Sequence, residues 1–278
     1  MKFTAALFAL AGLAAALPAP GPIDLGDGVK LVRRESRSAA RRAFRKTNPK
    51  IPAPIEEGAF STEGITNETQ VSYSSNWAGA VLVGSGYKSV TGTFVVPTPK
   101  KPSGGSSSTT YSASAWVGID GDTCQTAILQ TGVDFNVKGT SVSFDAWETN
   151  NKRIDTFSGF SISAGNTIKV TATATSKTGG TVTITNSSTG KTVTHSFSGE
   201  SASLCETNAE WIVEDFEENG SLVPFANFGT VKFTGASVTT TSGSTIDTTG
   251  AQILDIKQGS TVYTDCSASG STVTCTYV

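Results

Sequence analysis

The chain has 278 residues, only 16% of them charged, with 29 Gly, one Met and one His. Sparse charge, with Ser and Thr crowding every segment after Gly58, suits short strands and tight turns better than long helices. The single histidine, His195, excludes multi-histidine metal centres, and residues 61–278 carry a net charge of −7 against +5 on residues 1–60, which excludes a nucleic-acid binder.

In chain order, Met1-Lys2 and the apolar run Phe3–Leu17 have the basic start and hydrophobic body of a secretion signal, with the small residues Ala14-Ala15-Ala16 before the cut. The run is too short to span a bilayer, which takes roughly 20 residues, and no later segment qualifies. Residues 1–16 therefore read as a signal peptide, and the protein is expected outside the cell, not in a membrane. Residues 17–61 follow, with six prolines and the pairs Arg33-Arg34, Arg41-Arg42 and Arg45-Lys46. A linker would share this composition. The signal before it and the change of composition after it favour a cleavable basic pro-segment.

Residues 62–278 read as one domain. Period-two apolar runs broken by turn residues predict strands at 79–83, 89–96, 112–119, 126–135, 140–147, 167–175, 181–185, 191–197, 209–216, 230–233, 251–256 and 272–278. The expected fold is all-β, a single antiparallel β-sandwich. Pro99–Thr110 reads as an exposed loop, and Asn67, Asn186 and Asn219 match the N-glycosylation pattern. Four cysteines in a secreted chain imply disulfides. Cys266 and Cys275 flank a plausible turn and should pair locally, which leaves Cys124 for Cys205 and no thiol for catalysis.

Carboxylates cluster at Glu210-Trp211-Ile212-Val213-Glu214-Asp215-Phe216-Glu217-Glu218. On a strand Glu210, Ile212 and Glu214 share one face, so Glu214 lies among apolar neighbours: either a working group or a solvated sheet residue. Asp120-Gly121-Asp122 hints at calcium but lacks the later ligands of a calcium loop, so a plain turn is favoured. Gln130 shares its face with Thr126 and Ile128, and a polar amide there is either bonded within the sheet or aimed into a cleft. His195 reads as a strand surface residue.

The blocks Ser75-Asn76-Trp77-Ala78-Gly79-Ala80, Ala115–Cys124, Thr126–Gly132, Asp145-Ala146-Trp147 and Cys205–Phe216 together resemble, in collinear order, the fungal glutamic peptidases (eqolisins). The resemblance implies two seven-stranded sheets of jelly-roll type, a secreted zymogen, and acid endopeptidase activity on protein and peptide substrates, insensitive to pepstatin and without metal or other cofactor. It places the catalytic pair on Gln130 and Glu214, and the substrate cleft on Trp116, Asp120 and Asp145, with Trp77 and Trp147 helping to form it. Glu148 matches the family's acidic cleft residue only with a one-residue gap. The domain is expected as a monomer, with its own pro-segment, net +4, lying across the acidic cleft as an inhibitor that acid releases. Two other classes compete. A glycosidase or glycan-binding sandwich could pair Glu214 with Asp145 or Glu148, and a cell-wall or adhesion protein would use neither Gln130 nor Glu214 for chemistry.

Overall fold

A computed structural model describes residues 21–33, 49–53, 71–150 and 153–278. The expected signal peptide, the pairs Arg41-Arg42 and Arg45-Lys46, the expected boundary near Ser61 and the Asn67 pattern lie outside them. The strands, in order, are β1 (Ile23–Gly26), β2 (Val29–Arg33), β3 (Val71–Ser74), β4 (Trp77–Val83), β5 (Tyr87–Val95), β6 (Thr110–Ile119), β7 (Leu129–Lys138), β8 (Ser141–Asn150), β9 (Arg153–Ser158), β10 (Thr167–Ser176) and β11 (Gly179–Asn186). They continue with β12 (Lys191–Phe197), β13 (Asn208–Glu214), β14 (Glu217–Glu218), β15 (Ser221–Leu222), β16 (Thr230–Thr240), β17 (Thr245–Ile246), β18 (Gln252–Gln258), β19 (Thr261–Val262), β20 (Thr264–Ser269) and β21 (Thr272–Tyr277). Among the described residues there is no helix.

Two antiparallel runs of seven strands form the sandwich: β9-β8-β7-β6-β13-β4-β18, hereafter the first sheet, and β12-β11-β10-β5-β16-β21-β20, the second. The sequence explains why they pack. On β10 the side chains alternate strictly, with Ile168, Val170, Ala172 and Ala174 inward and Lys169, Thr171 and Thr173 toward solvent. Ala113, Ala115, Val117 and Ile119 of β6 and Val133, Phe135 and Val137 of β7 meet them from the first sheet. The facing layers make the main core. In the first sheet, however, β13 is buried at every position and β6 at every position but Thr110. Its other face is therefore closed off as well.

Several expectations shift in detail. The strand predicted from Thr126 begins at Leu129, because the preceding residues lie in a loop tied down at Cys124. The run predicted as 230–233 continues to Thr240 through a register shift between Thr234 and Ser237. β9 and β20 are strands that their weak apolar alternation hid, and β3 joins β18 in parallel. Both expected disulfides are present, Cys124–Cys205 and Cys266–Cys275. Of the expected loop Pro99–Thr110, residues 101–109 form a mostly exposed loop, while Pro99 is buried and Thr110 opens β6.

The basic segment is more than a charged strap. β1 and β2 form a hairpin, and β2 pairs with β9 at the edge of the first sheet, Lys30 opposite Ser158 and Val32 opposite Thr156. Val29 and Leu31 are each 4% exposed and join the main core. Apolar burial and strand pairing hold this part of the segment, a contribution that its +4 charge does not announce.

Candidate active site

The outward face of the first sheet is organised by register. Three rungs cross it, because antiparallel partners sit side by side and alternate residues share a face. The first runs Trp77, Glu214, Ser114, Asp134, Asp145 across β4, β13, β6, β7 and β8. The second runs Gly79, Ile212, Trp116, Gly132, Trp147. The third runs Val81, Glu210, Gly118, Gln130, Thr149, and on β9 Ile154. Trp77, Val81, Trp116, Trp147, Ile154 and Ile212 pack into a second apolar cluster, separate from the main core.

Trp116 lies at the centre. Its Nε1 donates to Glu214 Oε2 at 2.9 Å, and its ring stacks edge-on to Trp77 with centroids 4.9 Å apart. Two glycines make room for it. A side chain on Gly132 would run into Trp116, and a Cβ on Gly118 would stand 2.8 Å from the far edge of the same ring. That Cβ would also lie 2.5 Å from Glu210 Oε1 and 3.2 Å from Gln130 Cβ. Trp116 thus bridges the rung of Glu214 and the rung of Gln130. Trp147 Nε1 donates to Ser114 Oγ at 3.2 Å, and that hydroxyl donates in turn to the Val133 carbonyl.

Gln130 and Glu214 are 1% and 2% exposed in the full chain, and Gln130 Oε1 has no partner among the described residues. The same holds for Trp77 Nε1, Thr149 Oγ1, Asp122 Oδ2 and both oxygens of Glu210. Buried polar atoms normally find partners, and here they collect on and around one face, which marks it as a place for water or ligand. Burial lifts three acids in and beside this sheet. Glu210 titrates well above the ordinary carboxylate range, first through desolvation and then through the neighbouring Asp120 and Asp122. Asp215, next to Glu214, is pushed to about 8 by desolvation, despite the 2.7 Å hydrogen bond it accepts from Gln258 Nε2. Asp255 on β18 is raised to about 6, again mainly by burial.

The remaining residues singled out by sequence take different places. Asp145 lies on the first rung, 3.4 Å from Asn136 Nδ2. Asp120 is fully buried, and its two oxygens accept the backbone amides of Cys205, Glu206, Thr207 and Asn208 at 2.7–3.2 Å. It anchors the segment that enters β13 and does not present a free carboxylate to the face. Asp120-Gly121-Asp122 is a turn, as favoured. Glu148 alternates to the inner side, where its Oε1 lies 3.2 Å from His195 Nδ1 of the opposite sheet. His195 is therefore a half-buried partner of Glu148, not a plain surface residue, and this hydrogen bond is the largest cause of its raised pKa. Thr149 occupies the face position beside Gln130 instead. Sequence reasoning passed over Ser114, Asp134 and Thr149. Counting in steps of two from Trp116 and Gln130 would have found Ser114 and Asp134, whereas Thr149 is placed only by its pairing with Gln130.

Residues 49–53 also reach this face. Lys50 pairs with Asp122, and its amide donates to the Gly121 carbonyl at 2.9 Å. Ile51 N donates to Asn76 Oδ1 at 2.8 Å, and Asn76 O in turn accepts the amide of Asp215. Residues 49–53 are thus fastened beside Trp77 and the turn at 120–122.

Comparison with known proteins converges. The profile of the Peptidase A4 family matches residues 75–277. The chain is 48% identical to Aspergillopepsin-2 of Aspergillus niger and 46% identical to Scytalidopepsin B of Scytalidium lignicola, each over the full length of both chains. In structure it resembles scytalido-glutamic peptidase bound to a transition state analog inhibitor, with a TM-score of 0.67 and 47% identity over 73% of this chain and 98% of that one.

Proposed function

The chain belongs to the Peptidase A4 family and is a glutamic peptidase, and on that premise we propose that it is a secreted acid endopeptidase whose catalytic pair is Gln130 and Glu214. The observation that carries the assignment is the rung geometry: both side chains share the outward face of the first sheet, with Trp116 between them and bonded to Glu214. Glu214 takes a proton from the attacking water as general base, then returns it to the leaving amine as general acid. The Gln130 amide donates to the oxyanion of the tetrahedral intermediate, while its carbonyl oxygen helps to hold the water. No step calls for a metal. Trp77, Trp116 and Trp147 supply an apolar floor for substrate side chains, with Asp145 at its rim. The glycosidase and adhesion readings give way to family membership.

The precursor is held inactive by its pro-segment. Two attachments support this: the β1–β2 hairpin on β9, and residues 49–53 against Asn76, Gly121 and Asp122. Acid weakens the attraction between this basic segment and the acidic domain and opens the way to cleavage between about Gly58 and Tyr73. The test is degradation of denatured protein at pH 3.5 with pepstatin present, after the full chain is brought from neutral pH to acid. Glu214→Gln and Gln130→Ala should each lose activity by about 10²–10³-fold or more while keeping the fold. A variant that keeps more than about a tenth of wild-type activity overturns the pair, since loss of such a group has larger effects. Wild type should shorten in acid while Glu214→Gln stays long, and equal maturation of both in the absence of other proteases excludes self-processing.

A further inference from the structure

Glu210 is a buried acid that this mechanism does not use. It is 0% exposed, and neither of its oxygens has a partner among the described residues. It stands on the same rung as Gln130, with only Gly118 between them. A single added methyl at Gly118 would touch both side chains, 2.5 Å from Glu210 Oε1 and 3.2 Å from Gln130 Cβ. Gln130 Oε1 is itself buried and has no partner among the described residues. Two buried polar groups without partners among the described residues therefore stand on either side of a position kept open by a glycine. The charged groups around Glu210 are Asp120 and Asp122 from the turn after β6, Lys50 beyond Asp122, and Glu214 on its own strand.

We propose that Glu210 is a positioning residue for Gln130: as a neutral carboxylic acid it donates its proton to Gln130 Oε1, directly or through one water, and so turns the amide Nε2–H toward the substrate. An ionised carboxylate could not do this, because it only accepts. Burial beside two other acids keeps the neutral form, and a carboxylic acid held neutral in an apolar site is a known hydrogen-bond donor in catalysis. Without such a bond a primary amide has two nearly equivalent orientations, and only one presents donors to an oxyanion. The inference rests on the assignment of Gln130 to the catalytic pair.

The test is steady-state kinetics of the acid-matured enzyme on a peptide substrate at pH 3.5. Glu210→Leu, which fills the space without a donor, should lower kcat by about 10²-fold with KM within about threefold, the scale of a misplaced catalytic group. Glu210→Gln keeps a neutral donor and should recover to within about threefold of wild type. The double variant Gln130→Ala/Glu210→Leu should be no slower than Gln130→Ala alone, because Glu210 acts only through Gln130. An unchanged kcat in Glu210→Leu overturns the inference, as does a double variant slower by a further 10²-fold. If Glu210→Leu does not fold, Glu210→Met, which keeps the length of the side chain and has no donor, should give the same loss of kcat and the same lack of additivity with Gln130→Ala. High activity in Gln130→Ala removes the catalytic pair and this inference together, whereas the other outcomes remove the inference alone.

Discussion

The two sheets are built by the same alternation and differ in what their outer faces carry. The second sheet shows solvent a ladder of hydroxyls: Thr181 with Ser196 at 2.9 Å, Thr183 with Thr194 at 3.0 Å, Thr185 with Thr192 at 2.9 Å, and Thr91 with Thr171 at 2.8 Å. The first sheet puts Glu214, Asp134, Gln130 and Glu210 in the corresponding positions and covers them. A hydroxyl on an exposed strand can bond to its neighbour or to water with little difference in energy. A buried carboxyl must change its protonation state or find a partner. Polar residues on the second sheet thus say little about function, while those on the first are informative one by one.

The sharpest break between the sheets should be their response to pH. Among the described residues, the buried acids with raised pKa, Glu210, Asp215 and Asp255, belong to the first sheet or to the residue just after β13, whereas Asp247, whose pKa is lowered, is exposed beside the second. Asp215 titrates at about 8 when folded against an ordinary value of 3.8. Below the ordinary value both folded and unfolded chains hold the proton, and the contribution is fully present. As pH rises, the unfolded chain loses its proton first, so folding weakens until pH passes the folded pKa. Asp215 alone should remove several kcal/mol, on the order of 5, between pH 4 and pH 8. Thermal unfolding should give a higher Tm at pH 4 than at pH 8, and Asp215→Asn should flatten that difference. A higher Tm for wild type at pH 8 would overturn this account.

The disulfides divide the same way. Cys124–Cys205 closes 81 residues and links the approach to Gln130 with the approach to Glu214, while Cys266–Cys275 closes 9 within one hairpin of the second sheet. Loop entropy alone makes the first worth about 4.5 kcal/mol and the second about 2.7. Denaturant unfolding of the two double Cys→Ser variants should show the larger loss for Cys124/Cys205. Peptidase activity below the transition should fall only in that variant, because the other lies far from the face.

The smallest effect is expected on the hydroxyl ladder. Thr183→Val with Thr194→Val should change stability by no more than about 0.5 kcal/mol and leave activity untouched, as ordinary exposed substitutions do. A loss of activity there would mean that the second sheet also takes part in substrate binding, and the contrast between the sheets would fail.

Much of this was legible in the residues. Alternation on β10 and β11 announces strands, the spacing of Cys266 and Cys275 announces a hairpin, and the blocks around Trp77, Trp116, Gln130 and Glu214 carry the family likeness without any coordinates. Short-range patterns suffice for these because a strand's two faces follow from a period of two. Other features depend on what lies across the sheet or between sheets, which no local pattern encodes. Parity alone does not say that Glu148 turns inward to His195 and leaves Thr149 on the face, because a one-residue slip exchanges the two sides. Nor does it say that Gly118 separates Glu210 from Gln130, or that β9 offers an edge to β2. Those pairings join residues from 12 to more than 120 positions apart. They exist only once the register is set, and the register is set by the burial of whole faces, a property of the assembled sandwich and not of any segment within it.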